Sequence, residues 1–121
     1  MDVQSKTTVT LDSFPDAVFI ADVQGRILEF NQAFIVFHRL QNREFAPESV
    51  EQYAKYVELY LPTGEAVPLE QWVVARALRG EIGANIEYGL RCRNSGECWT
   101  GSFSFSPMRD AEGNITGAVV T

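Results

Sequence analysis

Histidine and cysteine are scarce in this chain, so few side chains offer nucleophilic, acid–base or metal-ligating chemistry. His38 is the only histidine, and Cys92 and Cys98 are the only cysteines. These are too few for a disulfide framework or a zinc site. The carboxylates form no pair that a strand or helix would face into one cleft, and no glycine-rich loop leads into a helix to hold phosphate. The residue types therefore argue against an enzyme.

His38 offers two kinds of chemistry, as a haem ligand or as a polar group in a ligand pocket. It follows Ala33, Phe34 and Phe37, whose spacing is helical. A histidine near the C-terminal end of a helix interacts favourably with the helix dipole without needing a ligand. We therefore expect a partly exposed side chain.

The two thiols are predicted to lie on opposite faces of a hairpin. Large apolar side chains alternate along residues 86–92 and 99–105, and Cys92 shares their face in the first strand. Aligning the apolar faces pairs Cys92 with Trp99 across a two-residue turn and leaves Cys98 on the opposite face. A three-residue turn would set Cys92 against Cys98 but would put the apolar faces out of phase. We expect two free thiols.

Aromatic side chains are the other candidates, here for binding rather than catalysis. Most of them are needed to fill the core of a domain of this size. A ligand bound among them would be oriented by a few polar side chains. Asn85 is one such candidate, in addition to the residues named next. The candidate pocket residues are Phe34, Phe37, Tyr53, Tyr56, Trp72, Arg76, Tyr88, Leu90, Phe103 and Phe105.

The first elements that position these residues are a hairpin and a helix. Residues 18–21 are all apolar, and residues 26–30 form a second short run that is mostly apolar. Between them, Asp22 can accept from nearby backbone N–H groups and Gly25 can adopt a positive φ, which predicts a tight turn. Asn31 then predicts the start of a helix, because its side chain can cap a free N–H.

The rest of the chain is predicted to form helices first and strands after them. Pro47 and Pro68 each predict a helix start, and the second helix, residues 69–79, ends at Gly80. Turn signals at residues 94–96 and 110–113 divide the last part into three strands. The predicted fold class is α+β, with a five-stranded antiparallel sheet and helices packed over one face.

The length and net charge of the chain exclude further classes of function. The 121 residues fit one domain, and 45% of them are apolar. The net charge of −6 argues against nucleic-acid binding, which needs a basic surface. The apolar runs are shorter than a bilayer span, and the N-terminus lacks the pattern of a signal peptide. We expect a cytoplasmic domain that makes no contact with nucleic acid or membrane.

Three segments in order resemble a PAS domain, the sensory unit of bacterial signalling proteins. They are FPDAVFIADVQGRILEFNQAF, LPTGEAVPLEQWVVARALRGE and RNSGECWTGSFSFSPMRDAEGNITGAVV. The resemblance covers residues 11–121, which we interpret as a single PAS-like domain after an N-terminal segment of residues 1–10. It implies a mixed fold that binds a small ligand between sheet and helices, dimerises and passes a signal to an attached effector.

The resemblance therefore implies a sensory and dimerisation input module of a larger protein, such as a sensor histidine kinase. The effector would follow Thr121, and the last strand would relay the signal. The homodimer would form through the N-terminal segment, or through the uncovered sheet face, where Phe19, Trp99 or Cys98 would leave an apolar patch. In those PAS domains that bind haem, the ligand is usually a histidine on the helix that corresponds to residues 69–79, which has none here. We expect no cofactor, although an unknown small molecule is possible.

Two other functions stay open. One is a small α+β enzyme with a cavity, for which His38 and Glu87 are the only candidates for acid–base chemistry. The other is a ligand-free protein-interaction domain with a filled core. A cavity in the structure distinguishes the sensory domain from the interaction domain, and a titratable pair in that cavity would favour the enzyme.

Overall fold

The computed structural model describes residues 11–121, which form one six-stranded antiparallel sheet with helices over one face. The predicted N-terminal segment lies outside the described residues. The strand order is β2-β1-β6-β5-β4-β3. The strands are β1 (Phe19–Asp22), β2 (Ile27–Phe30), β3 (Val57–Tyr60), β4 (Gly83–Cys92), β5 (Cys98–Arg109) and β6 (Ile115–Val120). The helices described are α1 (Gln32–Phe37), α2 (Val50–Tyr56), α3 (Val73–Leu78) and two 3₁₀ turns, Arg43–Phe45 and Leu69–Gln71.

The last strand lies in the middle of the sheet, between β1 and β5. Val120 of β6 is opposite Phe19 on one side and Phe105 on the other. All three side chains are buried under the helices. β6 is therefore hydrogen-bonded on both sides.

The two predicted Asp-x-x-Gly turns are confirmed. Asp22 Oδ1 accepts from the N–H groups of Gln24 and Arg26, and Gly25 has φ 83°. The N–H of Arg26 holds the pKa of the Asp22 carboxyl below its ordinary value. Asp110 makes the equivalent pair of bonds in the β5–β6 turn. These local bonds explain why both hairpins were predictable from sequence.

Residues 11–121 form six strands, not the predicted five. Val57 follows Val50, Tyr53 and Ala54 at the spacing of one helix face, which predicts that it is helical, but it begins β3 instead. Val57 and Leu59 are buried, whereas Glu58 lies on the opposite face, so the segment has the two-residue period of a strand. β3 pairs with β4 and forms one edge of the sheet.

The predicted helix over residues 69–79 is divided in two. Trp72 has an extended backbone, with ψ 156°, between the 3₁₀ turn and α3. Its indole N–H donates to the carbonyl of Val67 at 2.9 Å, and its ring packs against Tyr53. Gly80 ends the segment with φ 95°, as predicted. Burying the Trp72 ring in the core therefore accompanies the interruption of the helix.

The β4–β5 hairpin has the predicted faces but a different register. Leu90, not Cys92, is opposite Trp99, and the Cys92 N–H donates to the carbonyl of Glu97. The difference is two residues, so every side chain stays on its predicted face. Cys92 is buried and Cys98 is exposed on the other face.

Candidate functional site

A cavity of about 420 Å³ lies where β6 ends beside β5. Ser104 and Thr121 exchange two backbone hydrogen bonds, of 3.0 and 2.9 Å. Residues 100–104 of β5 line one side of the cavity. Residues 16 and 17 before β1 and the helix α1 enclose the opposite side. We call this space the β5–β6 cavity.

Asn31 holds the wall of the cavity together. It is fully buried, and its Oδ1 accepts from the N–H groups of Val18 and Phe34 at 2.9 and 3.0 Å. Its Nδ2 donates to the carbonyls of Leu11 and Asp16 at 3.0 and 2.8 Å. The predicted cap of α1 is confirmed, but the side chain also ties the segment before β1 to the helix. All four hydrogen-bonding positions of the amide are used.

Phenylalanine rings form the apolar wall of the cavity. Phe34 is completely buried and contacts Phe19 edge-on, with 5.4 Å between ring centroids. Phe37 contacts Phe103 edge-on at 6.1 Å. The Phe37 ring also lies over Gly101, where an added Cβ would come within 2.5 Å of it. A glycine in this strand is therefore what allows α1 to approach β5 so closely.

His38 lies at the end of α1 and is buried, contrary to the predicted partial exposure. Its Nδ1 donates to the carbonyl of Phe34 at 2.9 Å, and its Nε2 accepts a hydrogen bond from the Tyr53 hydroxyl. Tyr53 comes from α2, so the burial depends on a contact that the local sequence does not reveal. Burial lowers the pKa of His38 to about 4. Next to the cavity, His38 is thus an uncharged group.

The opposite rim of the cavity is polar. Thr100, Ser102 and Ser104 line it from β5, and Asn85 lines it from a bulge in β4. The Asn85 backbone has φ 54°, and its N–H donates to the Ser104 hydroxyl at 3.0 Å. The cavity therefore has one aromatic wall, and polar residues of β4 and β5 line its rim.

Three of the ten predicted pocket residues line this cavity, namely Phe34, Phe37 and Phe103. Tyr53 and Trp72 line a different gap beneath α2 and α3, whose volume is only about 10 Å³. That space is about the minimum for one water molecule, so the region is effectively filled.

The remaining predicted pocket residues make structural contacts. Arg76 donates to the Tyr88 hydroxyl at 3.3 Å and lies over the ring of Phe105. Leu90 is fully buried in the core. The Tyr56 hydroxyl donates to the carbonyl of His38 and lines a separate surface groove.

The described residues show no group arranged for acid–base catalysis. Both nitrogens of His38 are already hydrogen-bonded, and Tyr53 does not line the β5–β6 cavity. Burial raises the pKa of the Tyr53 hydroxyl far above its usual range. Glu87 is exposed on the sheet face that residues 11–121 leave uncovered, where it is opposite Ser102. Within residues 11–121 no three potential metal ligands lie together.

Sequence and structure comparisons place this geometry in a known family. A family profile described as the PAS fold matches residues 11–121. The chain therefore belongs to the PAS fold family. No curated protein matches the chain in sequence. Among residues 11–121, no helix has the length and apolar character needed to cross a bilayer.

Solved structures share the fold at low sequence identity. The PAS domain of nitrogen regulation protein NR(II) from Vibrio parahaemolyticus is 13% identical with a TM-score of 0.66, covering 99% of this chain and 95% of that one. A domain of a sensory box sensor histidine kinase/response regulator from Geobacter sulfurreducens is 20% identical with a TM-score of 0.56, covering 97% and 91%. The E. coli DhaR(N)–DhaL complex contains a chain that is 15% identical with a TM-score of 0.63, covering 97% and 34%. The predicted α+β PAS fold is confirmed.

Proposed function

We propose that this PAS domain is a cytoplasmic sensory and dimerisation input module, and that its effector, such as the catalytic core of a histidine kinase, follows Thr121. Membership of the PAS family supports the sensory role. The similar Geobacter domain, which comes from a sensor histidine kinase/response regulator, supports the kinase context. In this proposal the domain itself is not catalytic and holds no chromophore. Its signal is a small molecule in the β5–β6 cavity.

The observation that carries this proposal is that β6 and the residue after it line the cavity. Val120 and Thr121 form part of its wall, and Thr121 is bonded to Ser104 on β5. A molecule that moves the cavity wall would therefore act directly on the point where the effector is attached. No longer pathway is needed.

The mechanism is a shift between two arrangements of the cavity wall. A ligand that binds one arrangement more tightly increases its population, and the effect is limited by the difference in affinity. β6 is held by β1 on one side and β5 on the other, so a displacement at its end changes its pairing with both. In this mechanism the signal is relayed by the altered pairing of β6 with its two neighbouring strands.

A second candidate function is a protein-interaction domain that needs no ligand. The filled gap of about 10 Å³ beneath α2 and α3 favours it, since no ligand fits there. The similar E. coli chain is part of a complex between two proteins. In this case the β5–β6 cavity would stay filled with water.

A fusion protein tests the sensory proposal without knowledge of the ligand. The chain is joined after Thr121 to the catalytic core of a histidine kinase, and autophosphorylation is measured. Phe37→Leu reshapes the cavity wall and is expected to change the basal rate about fivefold or more. Val36→Ala, at an exposed position of the same helix, is the matched control and should leave the rate unchanged. If both folded variants show the parent rate, the domain is a passive spacer and the sensory proposal is wrong.

A further inference from the structure

We draw no further inference here: the strongest candidate, the surface groove that Phe45, Tyr56 and Cys92 line between α2 and the β4–β5 turn, carries nothing, because a single thiol does not make a site and nothing in residues 11–121 shows what covers the groove.

Discussion

At the scale of single residues, Asn31 shows how a cap can do more than end a helix. The sequence predicts its acceptor role, since asparagine before a helical pattern commonly caps an N–H. Its two donor bonds, to Leu11 and Asp16, join residues distant in the chain and could not be predicted from local sequence. The same residue thus positions both the helix and the rim of the cavity.

Replacing one atom of Asn31 tests this role. Asn31→Asp keeps the acceptor but removes both donors, and it buries a carboxylate against two carbonyl oxygens. We expect a loss of about 2–4 kcal/mol in the free energy of unfolding, measured by urea denaturation. Asn42 caps a 3₁₀ turn with its oxygen alone, so Asn42→Asp is the matched control and should cost less than about 0.5 kcal/mol. Equal losses in the two variants would show that the donor bonds of Asn31 are unimportant.

His38 makes stability depend on pH. The unfolded chain binds the proton at the ordinary pKa of 6.5, whereas the buried side chain binds it only near pH 4. The free energy of unfolding therefore falls as pH decreases through this window, by an amount on the order of 3 kcal/mol. Below about pH 4 both states are protonated at His38 and its contribution stops changing.

Urea denaturation of the parent and of His38→Gln over this pH range measures how the free energy of unfolding depends on His38. The variant should show a flatter dependence, because no other histidine titrates there. Asp22 and Asp110 have pKa values lowered below 3.8 by backbone N–H groups, so the stability that they contribute is lost mainly at lower pH. Parallel curves for parent and variant would contradict the burial of His38.

At the scale of elements, the alternation of apolar and polar residues predicted which face of the sheet a side chain occupies. It predicted less well which residues are paired across neighbouring strands. The β4–β5 hairpin differs from its predicted register by two residues, which keeps Cys92 and Cys98 on the correct faces. The two-residue alternation of side chains determines which face of the sheet is buried. It does not distinguish two registers that differ by an even number of residues. β3 was missed because Val57 fits a helical spacing as well as a strand. Only its pairing with β4 decides between them.

The cavity was harder to predict than the fold, because it depends on contacts between elements that are distant in sequence. The sequence indicated that aromatic residues would surround a pocket, but not that α1 would lie over β5. Gly101 was the available signal, since a glycine within an apolar strand indicates a close approach by another element. Its role became clear only when Phe37 was seen to lie over it.

Two glycine substitutions on adjacent strands test this approach. In Gly101→Ala the new Cβ would come within 2.5 Å of the Phe37 ring, so α1 must shift. We expect a loss of about 1–3 kcal/mol in the free energy of unfolding. In Gly89→Ala the new Cβ would meet Tyr60 at an ordinary 3.8 Å, and alanine restricts the unfolded chain. This control should be neutral or slightly stabilising, and a loss as large as that of Gly101→Ala would mean that strand glycines matter here for another reason.

At the scale of the whole molecule, one of the two predicted dimer surfaces is the face of the sheet that residues 11–121 leave uncovered. Phe19 and Trp99, predicted to contribute to an apolar patch there, lie on the helix-covered side instead, and only Cys98 lies outside. The apolar residues of the outer face include Ile20 and Val119, which are paired across β1 and β6 and half-buried. Further along the face, Glu87 and Ser102 make it polar.

The proposed dimer is therefore expected to form around Ile20 and Val119. Light scattering at high micromolar concentration should give twice the mass of the chain, since symmetric pairs are the commonest assembly. Val119→Lys places a charge at the centre of the proposed interface and should shift the chain to a monomer. Glu87→Lys makes a larger change in charge on the same face, but outside the apolar pair, and should leave the dimer intact. A monomeric parent would remove dimerisation from the proposed function, and a Val119→Lys dimer would move the interface away from this face.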